Sequence, residues 1–229
     1  MGVSDRDVSA WEEAPALPEC GGAWSHVAPA AEVEAQRARI AQQLCRVVAA
    51  LYVDPRGPYP RMQGVEAWDE ARDATTYAGP HPVVAHPPCG PWGALRKMCS
   101  RQRRDLAPLA VEQVRQWGGV LEHPRGSLLW QECGLPSAGT VDAFGGFTLD
   151  IEQVAWGHKA RKATWLYFVG VDPIIAKGGV RRGGTPTHLV SQTRGRNLAG
   201  LKRMSDQARK ITPPAFAEWL VSLARTVQK

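Results

Sequence analysis

The chain has 229 residues, 44% of them hydrophobic and 22% charged, a balance that excludes disordered, collagen-like, coiled-coil and disulfide-scaffold classes. No apolar run reaches the roughly 18 residues of a spanning helix and no signal pattern opens the chain, so a cytoplasmic protein with no membrane partner is expected. Lys and Arg outnumber Asp and Glu by 28 to 22, a net charge of +6 that favours nucleic acid or a nucleotide as partner.

Residues 1–28, with Pro15, Pro18, Gly21 and Gly22, read as an N-terminal extension to a single domain over 29–229. The run AAEVEAQRARIAQQLCRV (30–47) predicts a helix, being rich in Ala, Glu, Gln and Arg. It passes into VVAALYV, a buried-strand pattern ending at Asp54, and then into a proline-rich loop. GVEAWD (64–69) and PVVAHPP (82–88) predict the second and third strands. DLAPLAVEQVRQW (105–117) predicts an amphipathic helix with Asp105 as N-cap, closed by Gly118-Gly119. GVLEHP (119–124) is a fourth strand. LDIEQVAWG (149–157) and ATWLYFVG (163–170) predict a strand pair at a sheet edge, and 171–203 a basic loop. PPAFAEWLVSLARTV (213–227) predicts the last helix. Strands alternating with helices imply an α/β domain, a mostly parallel sheet with helices on both faces. In such sheets chemistry gathers in loops at the carboxyl ends of strands.

Those ends carry the informative residues. The third strand runs into His86-Pro87-Pro88-Cys89-Gly90-Pro91-Trp92, and the fourth into Glu122-His123-Pro124. Two prolines make a stiff turn that suits a nucleophile pointing into a cleft, and a carboxylate on a nearby strand supplies proton chemistry. Five cysteines, an odd number in a cytoplasmic setting, are expected to be reduced. Nine tryptophans are either core or flat surfaces for bases.

Over residues 80–170 the chain resembles the cytosine-C5 DNA methyltransferases. Pro87-Pro88-Cys89 matches that family's nucleophile turn, and Glu122 matches the glutamate of its Glu-Asn-Val strand end. The strand pair over 154–170 is similar to the one bearing the family's Arg-x-Arg element, which reads Lys162-Ala163-Thr164 in this chain, after Arg161. The resemblance implies a reduced, single-domain, Rossmann-like fold of the methyltransferase type and methyl transfer from S-adenosylmethionine to C5 of cytosine in DNA. Cys89 would add to C6, Glu122 would bind N3 and the exocyclic amine, and Pro88, Arg161, Lys162 and Thr164 would hold the base or a phosphate.

The chain departs from the family at two places. The loop after the first strand is DPRGPYPRMQ (54–63), with the single glycine Gly57 and no room for the helix that faces the cofactor. Asp54, Gly57, Glu66, Asp69 and Asp73 are the candidates left to hold S-adenosylmethionine. Between the strand pair and the last helix only about 40 residues replace a recognition domain. That stretch holds Arg181, Arg182, Arg194, Arg196, Lys202 and Arg203 and is expected to grip phosphates, with Arg181 and Arg182 as substrate-binding candidates.

Other classes fit less well. His86-x2-Cys89 has a ligand-like spacing, with Cys99, His123 and Cys133 in the same region, but the zinc deaminase signature is missing and no metal is expected. No G-x-G-x-x-G, P-loop or G-x-S-x-G occurs. A pyrimidine-modifying enzyme with another donor, and a non-catalytic nucleic-acid-binding protein on a methyltransferase scaffold, remain as alternatives.

Overall fold

The computed structural model describes residues 30–93, 96, 103–190, 201–205 and 207–228. The expected extension, Cys20, Cys99, Arg194 and Arg196 lie outside the described residues. The chain divides into two units, 1–37 and 38–229. Helix α1 spans Ala30–Leu44, and the second unit holds the sheet.

Six strands make the sheet: β1 (Val48–Leu51), β2 (Val65–Trp68), β3 (Val83–Ala85), β4 (Gly119–Pro124), β5 (Phe147–Glu152) and β6 (Ala163–Val169). Their order is β2-β1-β3-β4-β6-β5. The first four are parallel neighbours, while β6 runs antiparallel to both β4 and β5. The fold is therefore α/β with a mostly parallel sheet, as in Rossmann-like proteins. The expected strand pair exists, with two corrections. β6 lies inside the sheet with only β5 at the edge, and Gln153–Trp156 form a 3-10 turn instead of extending the strand.

Short apolar strands buried on both faces explain the two cores. Val48 and Ala50 of β1, Val84, Val120 and Phe168 face helix α5 (Pro214–Arg225), which adds Phe216, Leu220 and Val221. Ala49 and Leu51, with Val83, Ala85 and Leu121, face helix α2 (Leu106–Trp117), which adds Ala110, Val111 and Val114. The two-residue strand period sends alternate side chains to opposite helices, as expected for a parallel sheet covered on both sides. Glycine is required where α2 meets β4. Gly118 ends the helix at φ +73°, and a Cβ on Gly119 would stand 1.9 Å from the Val83 carbonyl.

Three other expectations change. Asp105 sits at the N-cap of α2, but its carboxylate takes the Arg103 guanidinium at 3.2 Å and caps no amide. The stretch 171–203 is not all loop. It holds helix α4 (Pro173–Gly178), capped by Asp172 on the Ile174 amide, and the short parallel pair β7 (His188–Leu189) and β8 (Lys202–Arg203). Every described tryptophan is buried or half-buried, so these rings build the framework and are not open stacking surfaces. The short helix α3 (Leu129–Glu132) follows β4, and its preceding residue Leu128 donates its amide to the Trp92 carbonyl, fixing the turn after β3. Among the described residues no helix is long and apolar enough to cross a membrane.

Candidate active site at the carboxyl ends of β3 and β4

Glu122 is the centre of a convergence. Its side chain is 9% exposed, and three donors from three elements meet its carboxylate. His86, just past β3, places Nδ1 at 3.1 Å from Oε2. Gln153, just past β5, donates Nε2–H to Oε1 at 2.9 Å, and Lys162, just before β6, brings Nζ to 3.5 Å. Topology brings these together: β5 ends, and the antiparallel β6 begins, at the edge where β3 and β4 end. Burial alone would raise the Glu122 pKa, but Lys162 and His86 overcome it and hold the carboxyl well below its usual range. Glu122 is an ionised acceptor.

Around it lies a supporting shell. The Tyr59 hydroxyl is 2.6 Å from His86 Nε2, on the side of the ring away from Glu122. The Gln153 amide also donates to Thr164 Oγ1 at 3.0 Å, and Thr164 donates in turn to the Lys162 carbonyl. Gln153 Oε1 is buried with no hydrogen-bond partner, so one acceptor at this edge is unsatisfied. His123, the next residue on β4, faces the opposite core and bonds Ser127 Oγ at 2.7 Å. Burial pushes its pKa down to about 4, so it is neutral at pH 7.

Cys89 follows the two prolines in a turn whose carbonyl accepts the amides of Trp92 at 3.1 Å and Gly93 at 3.0 Å. It is a free thiol and exposed. Desolvation by the surrounding protein raises its pKa, the Glu122 charge raises it further, and Lys162 opposes them. At rest the sulfur is therefore protonated at neutral pH, yet it lies within the electrostatic reach of the Glu122–Lys162 pair.

Among the sequence candidates, the structure joins Glu122, Lys162 and Thr164 in this cluster and places Cys89 in the turn after the adjacent strand, with Pro88 half-buried in that turn. Thr164 is fully buried and acts as a support for Gln153. Arg161 stands apart, exposed and 3.6 Å from Glu152. Arg181 and Arg182 are exposed on a groove of about 340 Å³ that Arg125, Asp150 and Glu152 also line. Tyr59 and Gln153 escaped the sequence reading. No motif marks Gln153, and Tyr59 is one apolar position in a proline-rich loop; only the aromatic between Pro58 and Pro60 gave a signal. Among the described residues no three His, Cys, Asp or Glu side chains form a metal-binding group.

The ends of β1 and β2 are built differently. Asp54 takes the Arg56 amide at 2.9 Å and its guanidinium at 3.1 and 3.0 Å. Gly57 closes a turn onto the Asp54 carbonyl at 2.8 Å. Glu66 accepts from Arg72 at 3.1 Å and from the Trp68 indole at 3.4 Å, while Asp69 takes the Arg72 amide at 3.0 Å. Asp73 takes the Thr75 amide at 3.1 Å and hydroxyl at 2.6 Å. The loop that should cradle S-adenosylmethionine is a 3-10 turn, Tyr59–Arg61, with Tyr59 only 2% exposed. These residues form no glycine-rich cradle for that cofactor: each carboxylate accepts from a donor in or near its own turn, and the loop is filled by the buried ring of Tyr59.

No family model matches the chain and no curated protein matches it, so the functional reading rests on the residues themselves.

Proposed function

We propose that the protein modifies a pyrimidine base through a covalent bond between the Cys89 sulfur and ring C6. The observation that carries this is a proline-braced thiol within the electrostatic reach of a buried, ionised glutamate, at the carboxyl ends of adjacent parallel strands. Glu122 accepts the base's N–H, and Lys162 stands beside it as a donor for a ring nitrogen or carbonyl. Binding couples to activation: once Glu122 shares its charge with the base, it opposes ionisation of Cys89 less. The thiol then releases its proton, the sulfur adds to C6, and C5 becomes nucleophilic. Acid–base help of this kind contributes about 10²–10⁴ in rate.

In the form that the resemblance gives, the acceptor is cytosine in DNA and the added group is methyl. The adduct itself serves any pyrimidine in a nucleotide or nucleic acid, and any donor. The exposed Arg181 and Arg182 favour a polynucleotide, held by its phosphates. A base inside a duplex must first leave the stack, at a cost of a few kcal/mol.

The test is capture of the adduct. Single-stranded oligonucleotides carrying 5-azacytosine, in deoxyribose and ribose forms, are incubated with the full chain and the tryptic peptides weighed. In 5-azacytosine the ring nitrogen replacing C5 takes a proton after thiol addition, so the adduct persists without a donor. Mass added to the Cys89 peptide and absent from Glu122→Gln is the expected result. An unmodified Cys89 peptide with both oligonucleotides contradicts the proposal.

A further inference from the structure

One side chain on the β1 side is tied to the base-binding carboxylate. Tyr59 lies between Pro58 and Pro60 in the loop where the resemblance places the methyl-donor cradle. Its ring belongs to the core with Val48, Ala50, Val53 and Val84, and packs on His86 with ring centroids 5.3 Å apart. Its hydroxyl meets His86 Nε2 at 2.6 Å, and His86 Nδ1 meets Glu122 Oε2 at 3.1 Å. Burial, reinforced by the Glu122 charge, pushes the phenol well above its usual range, so it keeps its proton. A neutral phenol donating to Nε2 leaves the imidazole proton on Nδ1, aimed at Glu122. The same residue thus fills the loop and orients the carboxylate. Asp54, Glu66, Asp69 and Asp73, the acidic residues after β1 and β2, each accept from donors in or near their own turns.

We infer that Tyr59 takes the place of the methyl donor: it closes the β1 edge to S-adenosylmethionine and, through His86, holds Glu122 for the base. Tyr59 and His86 are positioning residues in this account, and the inference rests on the base-modification reading above. Bond formation at Cys89 then needs no bound donor. The thiol proton leaves to solvent, sulfur adds to C6, the displaced ring electron pair is met by a proton from water, and atoms and charge balance with no co-reactant.

The experiment has three readouts on the full chain. Equilibrium dialysis against labelled S-adenosylmethionine up to about 1 mM is expected to show no saturable binding. The rate of Cys89 adduct formation with the 5-azacytosine oligonucleotide is expected to change less than about twofold when S-adenosylmethionine is added. The ¹⁵N signals of the His86 ring are expected to report the Nδ1–H tautomer in the wild type and a mixture in Tyr59→Phe, which keeps the ring and loses the hydroxyl. Saturable binding below about 100 μM, or acceleration of the adduct by about tenfold or more, overturns the inference and leaves the base-modification reading standing. An unchanged His86 tautomer in Tyr59→Phe overturns the link to Glu122. If no adduct forms under any condition the base-modification reading falls, while dialysis and the ¹⁵N signals still decide whether Tyr59 excludes the donor. The wild-type measurements stand on their own if the variant fails to fold.

Discussion

The two halves of one sheet edge differ in how their carboxylates are used. At the ends of β3 and β4, Glu122 is buried and donors reach it from three elements distant in sequence. At the ends of β1 and β2, Asp54, Glu66, Asp69 and Asp73 each bond a partner close by in sequence, Asp54 and Asp73 being exposed and the other two half-buried. Long-range convergence on a buried charge is costly to build, since each desolvated partner must be held in place. Local pairing on a surface contributes little to stability and serves mainly to order a turn. The first arrangement marks a site, and the second marks a surface that has satisfied itself.

The sharpest way to break this contrast is Cys89→Ala. Adduct formation and base modification should vanish, while the thermal midpoint stays within a degree or two, because the residue is exposed. A variant that keeps activity would move the chemistry elsewhere. Glu122→Gln should cost about 10²–10⁴ in modification rate. It should also shift the pH midpoint of Cys89 alkylation by iodoacetamide downward, because the negative charge that raises the thiol is gone. An upward shift, or none, would separate the two residues.

Lys162→Met tests the same pair from the other side. Removing the cation leaves Glu122 buried beside fewer donors, an expected loss of about 3 kcal/mol in urea unfolding. Cys89 alkylation should then move to higher pH, since Lys162 opposes the rise. The pH dependence of stability sharpens the picture further. His123 is held neutral in the folded state, its pKa down at about 4, whereas the unfolded chain takes up a proton near pH 6.5. The unfolded state thus binds more protons between these values, and stability should fall by about 3 kcal/mol from pH 7 to pH 4. Glu122, depressed in the fold, adds loss in the same direction below the ordinary carboxylate range. A stability flat between pH 7 and pH 4 would contradict the burial of His123. The smallest effect belongs to the groove. Arg181→Ala and Arg182→Ala should each lower the salt slope of oligonucleotide binding by about one, leaving the Cys89 adduct intact.

Much of the scaffold was legible because burial on both faces writes itself as apolar runs. β4 appears at the bounds read from GVLEHP, and β1 to β3 lie within a few residues of theirs. Cys89 and Glu122 stood out through prolines and strand-end position. Lys162 was named, but its partner was not, since the encounter depends on β6 running back beside β4, which no local pattern encodes. Gln153 was read as strand and turned out to lie in the 3-10 turn that aims its amide at Glu122. The proline-rich loop announced a departure from the glycine cradle without showing that Tyr59 fills it. Asp105 failed as a cap because Arg103, two residues away, offered a stronger charged partner.

The most direct measurement is mass spectrometry of the nucleosides from DNA and RNA of cells expressing the wild type or Cys89→Ala. A pyrimidine nucleoside of altered mass is expected in the wild type alone, a methylene heavier if methyl is the group moved. Identical nucleoside profiles in the two strains would contradict base modification through Cys89.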